Sequence, residues 1–129
     1  MQQRSMSSMI QLKPEDVFAA DPNIRWAGLA TVKGEVIFCQ MREGVESLTP
    51  EDDDRLLLEL RAQYMTETTE RVGRWAGPVE YIAVSYEKFI ELIIMLKGKY
   101  LAITLEKNVP AQALPDIARI IRSFSGSSG

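Results

Sequence analysis

Hydrophobic and polar positions follow two different periods along this chain, and the switches between them mark out its elements. From Ile24 to Val32 the small and apolar residues Ile24, Trp26, Gly28, Ala30 and Val32 fall on every second position. That is the spacing of one strand face. Lys33-Gly34 supplies a reversal, and Glu35 to Met41 returns with Ile37, Cys39 and Met41 in phase. Two such runs joined by a glycine-bearing turn predict a β-hairpin. Upstream, Lys13-Pro14-Glu15-Asp16 reads as a short helix start, with proline and acids in the first turn and Pro22 as its stop. Val17 and Phe18 anchor that helix, and Ile10 extends its apolar face.

Thr49-Pro50-Glu51-Asp52 opens a long helix, with Thr49 as cap, Pro50 at the first helical position and acids at the positive end of the helix dipole. It is expected to run to about Val72 and to end near Gly73 or Gly77. Glu51–Arg55, Glu67–Arg71 and Glu70–Arg74 sit at i,i+4 in the supportive acid-before-base order. The apolar side of this helix is too wide. At about 100° per residue, Leu56, Leu57, Leu58, Leu60, Tyr64 and Met65 sweep about 200°, broken mainly by Arg61. Covering one sheet takes a stripe of about 100°. Either the helix is deeply buried under the sheet and a neighbouring loop, or the surplus meets a second molecule. Glu59, Gln63 and Glu67 keep the opposite side polar.

After Gly77-Pro78 the period returns to two. Val79 to Tyr86, Lys88 to Leu96 and Lys99 to Glu106 read as three strands, with Gly98 at the second reversal. In the middle one, Ile90, Leu92, Ile94 and Leu96 face one way while Phe89, Ile93 and Met95 face the other. A strand apolar on both faces is covered on both faces. Ile117, Ile120, Ile121 and Phe124 then give an i, i+3, i+4, i+7 stripe. Pro110 and Pro115 delay the regular part of this last helix to about Leu114. The expected organisation is an N-terminal arm at 1–12, a single domain at 13–124 and a Gly/Ser tail at 125–129. The fold class is α+β: an αββαβββα sandwich, a five-stranded antiparallel sheet with helices on both faces.

Charge and residue content narrow the function. With 129 residues, a net charge of −3 and no basic cluster, the chain lacks the basic face of a nucleic-acid binder. The absence of histidine removes Ser-His-Asp and Cys-His mechanisms and histidine-based metal sites. The lone Cys39 reads as a small core residue, and a reducing compartment is the simpler setting. Glu51-Asp52-Asp53-Asp54 has no cation-loop spacing, and adjacent helical positions diverge by about 100°. No glycine-rich phosphate loop accompanies Lys33-Gly34 or Lys97-Gly98-Lys99. Glu80, Glu91 and Lys88 could serve acid–base work, but exposed positions near a sheet edge explain the carboxylates better. Trp26 and Trp75 read as core or interface anchors. No catalytic residue, metal or cofactor is assigned, membrane insertion is not expected, and the expected location is cytoplasmic.

The run Asp21-Pro22-Asn23-Ile24-Arg25-Trp26-Ala27-Gly28-Leu29-Ala30, followed by Lys33-Gly34-Glu35-Val36-Ile37, resembles the first hairpin of the Roadblock/LC7 family. The element order over residues 14 to 124 is similar to that family throughout. Together with Tyr86-Glu87-Lys88, the Asp-Pro-Asn-Ile-Arg start also resembles small archaeal proteins of roadblock-like build. The acidic start and Arg/Glu-rich second half of the long helix depart from better-known members. The resemblance implies a non-catalytic homodimeric scaffold in which long helices pack together and third strands pair edge to edge. It also implies binding or regulation of a small Ras-like GTPase, or another protein partner. On this reading Leu56, Leu57, Leu60 and Tyr64 bury against the partner helix, with Tyr81, Ile82 and Val84 near the paired edge. The alternative is a small-ligand sensor of profilin/PAS-like build, with space over Gly28 and Ala30 beside Trp26.

Overall fold

The computed structural model describes residues 12–48 and 50–125, save for the side chains of positions 51, 52, 63–68 and 125. Its elements are α1 (Pro14–Ala20), β1 (Ile24–Thr31), β2 (Val36–Met41), α2 (Glu51–Ala76), β3 (Tyr81–Ser85), β4 (Phe89–Leu96), β5 (Lys99–Glu106), a 3-10 turn at Ala111–Ala113 and α3 (Leu114–Ser125). The strands form one sheet in the order β2-β1-β5-β4-β3, antiparallel at every junction. The fold is the expected α+β sandwich, a roadblock/profilin-like arrangement with helices on both faces.

On one face, α1 and α3 close an apolar core. Val17, Leu29, Leu92, Leu101, Ile103, Leu105 and Ile121 all have 0% exposure there. Leu12 is buried in the same core. Asp16 accepts from the Lys13 backbone N–H at 3.3 Å, fastening the first turn of α1. Arg42 then ties α1 to the hairpin: its guanidinium donates to the carbonyls of Ile24 (2.6 Å), Phe18 (2.7 Å) and Asp21 (2.8 Å). On the other face, α2 lies over β1 and β2 and seals a smaller cluster of Trp26, Ala30, Leu58, Ala62, Ile93, Tyr100 and Ala102. The Tyr100 hydroxyl, held by β5, donates to the Leu58 carbonyl. Burial pushes its pKa up to about 12.

Two bulges correct the expected strand faces. The pairing of β1 with β5 shifts between Ile24 and Trp26, so Ile24 turns into the α1/α3 core while Trp26 faces α2. The pairing of β1 with β2 shifts between Leu29 and Ala30, which drops Ile37 out of phase and leaves it exposed. One extra residue on a strand reverses the facing of everything beyond it. The hairpin loop accordingly spans Val32–Glu35, with Thr31 Oγ1 accepting from the Lys33 and Glu35 N–H groups and Gly34 at φ +95°.

The other element ends move by one to four residues. Pro50, not Thr49, precedes the first turn of α2, and Thr49 lies outside the described residues. The helix runs on to Ala76, where Gly77 at φ +86° donates its N–H to the Gly73 carbonyl at 3.0 Å. The strands β3 and β4 begin at Tyr81 and Phe89, later than the spacing suggested. Ile10 and the side chains of Glu51, Tyr64 and Glu67 also lie outside the described residues, as do the terminal runs 1–11 and 126–129.

Candidate functional site

The α2 face is the unfinished side of the molecule. Leu58 and Ala62 point into the sheet and are buried. Leu56, Leu57 and Leu60, by contrast, are about half exposed at 50%, 47% and 52%. Leu48, just before the helix, is equally open, and Val72 and Trp75 near its end are 55% and 89% exposed. No residue from Thr69 to Ala76 is buried. Trp75 is therefore not a core residue of this chain.

The remaining expected interface residues lie on β3, which among the described residues pairs with β4 alone and forms an edge of the sheet. Ile82 and Val84 are half-buried on the face that carries α2, Ile82 packing against the Trp26 cluster. Tyr81 turns to the opposite face and packs on the α1/α3 core. The structure thus groups the three leucines on one helix and places Ile82 and Val84 on the same side of the sheet. It does not bring Tyr81 to them.

Between the first half of α2 and the sheet lies a cavity of about 300 Å³, bordered by Trp26, Met41, Leu57, Leu58, Phe89 and Ala102. The space expected over Gly28 and Ala30 is not there. A Cβ on Gly28 would come within 2.5 Å of Trp26 Cη2 and 2.6 Å of Leu58 Cδ1, so ring and leucine already fill that ground. The glycine lets the Trp26 ring lie over its own strand, and the open volume borders Trp26 but neither Gly28 nor Ala30.

Polar groups edge the same cavity. Arg61 donates through Nη2 to Glu91 and, at 3.5 Å, to the Tyr86 hydroxyl. The Arg61 Nε is buried without an acceptor among the described residues. Glu91 is only 9% exposed, which overturns its expected place as an exposed carboxylate. It sits on β4, the strand flanked by β3 and β5, on the face beneath α2. Burial raises its pKa and outweighs the opposing pull of Arg61. Burial also disfavours the Arg61 cation, but Glu91 and Tyr86 more than offset it, so its pKa is raised. Arg25, across the cavity, is tied to Glu106 at 3.0 Å and to the Glu46 carbonyl at 2.9 Å.

Of the three residues considered for acid–base work, Glu80, Lys88 and Glu91, Glu91 alone borders the cavity. Glu80 stands next to Tyr81, whose partner is Ile94, whereas Glu91 pairs with Val84. Four residues, about 13 Å along the strand direction, separate their backbone positions. Lys88 is exposed in the turn before β4. The buried Arg61–Glu91 pair was not anticipated, although its signal was present: Arg61 is the one charge interrupting the leucine arc, and a cation inside an apolar stripe calls for a buried partner. Cys39 is half-buried against the Trp26 cluster, as a small packing residue would be. No helix among the described residues is long and apolar enough to cross a membrane.

No family model matches the sequence, and no curated protein matches it. Solved structures do match its fold. A Roadblock/LC7 domain from Streptomyces avermitilis superposes with a TM-score of 0.62 at 16% identity, over 84% of this chain and 88% of that one. Myxococcus xanthus MglB gives 0.66 at 11% identity, over 88% and 94% of the two chains. A Schizosaccharomyces pombe profilin gives 0.58 at 12% identity, over 85% and 90%. What they share with this chain is the fold.

Proposed function

We propose that this protein is a non-catalytic homodimeric scaffold that buries the outer face of α2 against a second copy and presents the joined surface to a protein partner. A small Ras-like GTPase is the partner class that the roadblock resemblance implies. The observation that carries the reading is the set Leu56, Leu57 and Leu60, half exposed on a helix whose sheet-facing side is already served by Leu58 and Ala62. Contiguous apolar surface rimmed by charge marks a protein interface. The open edge of β3 offers a second point of contact, since an unpaired strand edge accepts another strand.

The magnitudes say how strong such a dimer is. About half of each leucine is already covered, so burying the rest yields about 1 kcal/mol apiece, or about 6 kcal/mol over two copies. Association opposes this with about 4–15 kcal/mol of lost freedom. The leucines alone leave a weak dimer, and further contacts must contribute. Leu60→Glu places a charge at the centre of the face and is expected to leave a folded monomer, read by light scattering. An unchanged dimer for that variant, or a wild-type monomer at micromolar concentration, sinks the reading. Co-elution with purified GTP-loaded small GTPases of the same cell checks the partner class.

The cavity supports a second reading, a small-ligand site of the kind found between sheet and helix in related folds. Its volume is at the lower end of the range for ligand pockets, and its lining is largely apolar with a few polar groups at the rim.

A further inference from the structure

The cavity under α2 and the exposed tryptophan at the end of α2 are two features that the dimer reading does not by itself explain. We propose that each explains the other: Trp75 of one copy fills the cavity of the second copy, and the cavity is incomplete without it. The inference rests on the dimer reading and adds the residue that locks it.

Four observations lead there. First, Trp75 is 89% exposed, and tryptophan is among the residues most enriched as anchors that fill a partner's pocket. Second, its own cavity is out of reach. Trp75 and the cavity residue Leu57 are 18 positions apart on one unbroken helix, about 27 Å along the axis. A Trp75 that fills the cavity therefore comes from another molecule. Third, Leu57 and Trp75 lie on the same stripe, because 18 residues make five whole turns at 3.6 per turn. The rim of the cavity and the exposed tryptophan thus face the same way along α2, and that stripe continues through Leu60.

Fourth, charge selects the direction of pairing. The helix opens on Glu51-Asp52-Asp53-Asp54 and closes with Arg71 and Arg74. Parallel helices would set acids on acids and arginines on arginines. Antiparallel helices set the basic end of one on the acidic end of the other and also align the helix dipoles favourably. An antiparallel pair centred at positions 64–66, within a turn of the helix midpoint, brings position 75 of one copy against positions 53–57 of the other. That is where Asp54 and Leu57 border the cavity. The indole enters between Trp26, Met41 and Phe89, and Arg71 and Arg74 approach Asp53 and Asp54. Two-fold symmetry makes the same contact twice.

The test is intermolecular NMR on a dimer of one isotope-labelled and one unlabelled copy, alongside the dimer affinity of Trp75→Ala by sedimentation equilibrium. The expected results are cross-peaks from the Trp75 ring to the Met41 methyl and Phe89 ring of the other copy, and a dimer weakened at least tenfold. Because Trp75 is so exposed, its replacement leaves the folded monomer intact, which circular dichroism checks. A persistent wild-type dimer without those cross-peaks, or a loss under tenfold, overturns the plug while the leucine interface stands. Wild type that is monomeric at the NMR concentration overturns both.

Discussion

The two faces of the sheet bury apolar surface to different degrees of completion. Under α1 and α3 the strands contribute Leu29, Leu92, Leu101, Ile103 and Leu105, all fully buried within a single chain. Under α2 the cluster sets the rings of Trp26 and Tyr100 and only two branched aliphatics, Leu58 and Ile93, among Ala30, Ala62 and Ala102, and a cavity of about 300 Å³ remains beside it. Branched aliphatics of similar size interdigitate readily, so the first face closes by itself. Large rings over small residues leave gaps wherever a ring ends. The finished face stabilises the monomer; the unfinished one leaves Leu56, Leu57 and Leu60 half exposed and is the face on which the proposed dimer is built.

Substitutions on the two faces should therefore separate stability from association. The largest effect is expected from Leu101→Ala on the finished face, about 2–5 kcal/mol of lost stability in urea denaturation, with the monomer–dimer balance moved only through unfolding. Leu60→Glu should do the reverse, losing the proposed dimer while the monomer melts almost as before. If Leu60→Glu unfolds the chain as severely as Leu101→Ala, the faces are not different in kind.

Gly28→Ala sharpens the contrast from inside the α2 face. The added methyl meets Trp26 and Leu58 at 2.5–2.6 Å, and overpacking of this sort costs about 1–3 kcal/mol. A variant that melts like wild type would mean that the ring swings freely toward the cavity.

The smallest effect is a slope with pH. A buried carboxyl with a raised folded pKa holds its proton longer in the folded state. Glu91's contribution is thus full below its ordinary value near 4.5 and is lost as pH rises through the raised folded value. The stability of wild type minus that of Glu91→Gln should fall as pH climbs through that window, measured by urea titration. A difference that rises instead would break the assignment of Glu91 as a carboxyl dominated by burial.

Spacing alone accounted for much of what was found. The period of two from Ile24, the proline and glycine stops, the double-faced pattern of Phe89 to Leu96 and the i, i+3, i+4, i+7 stripe of Ile117 to Phe124 each specify a backbone state and a buried side within ten residues. Those are local facts of chain geometry, and they yielded the element order and the sandwich. The surplus leucine arc on α2 was legible for the same reason. The facing of Ile24 and Ile37 was not, because a bulge depends on how a neighbouring strand is registered, and nothing within the strand itself reports that.

The same limit governs the site. Arg61 and Glu91 lie 30 positions apart, and only the placement of α2 over the sheet makes them a buried pair. The room over Gly28 depended on where the ring of Trp26 came to rest, and it came to rest on the glycine. By itself the sequence determined which elements form, in what order, and that one helix carries more apolar surface than one sheet can cover. The tertiary structure decided which residues remain open and where the cavity falls, because both follow from contacts between segments whose separation along the chain carries no information about their meeting.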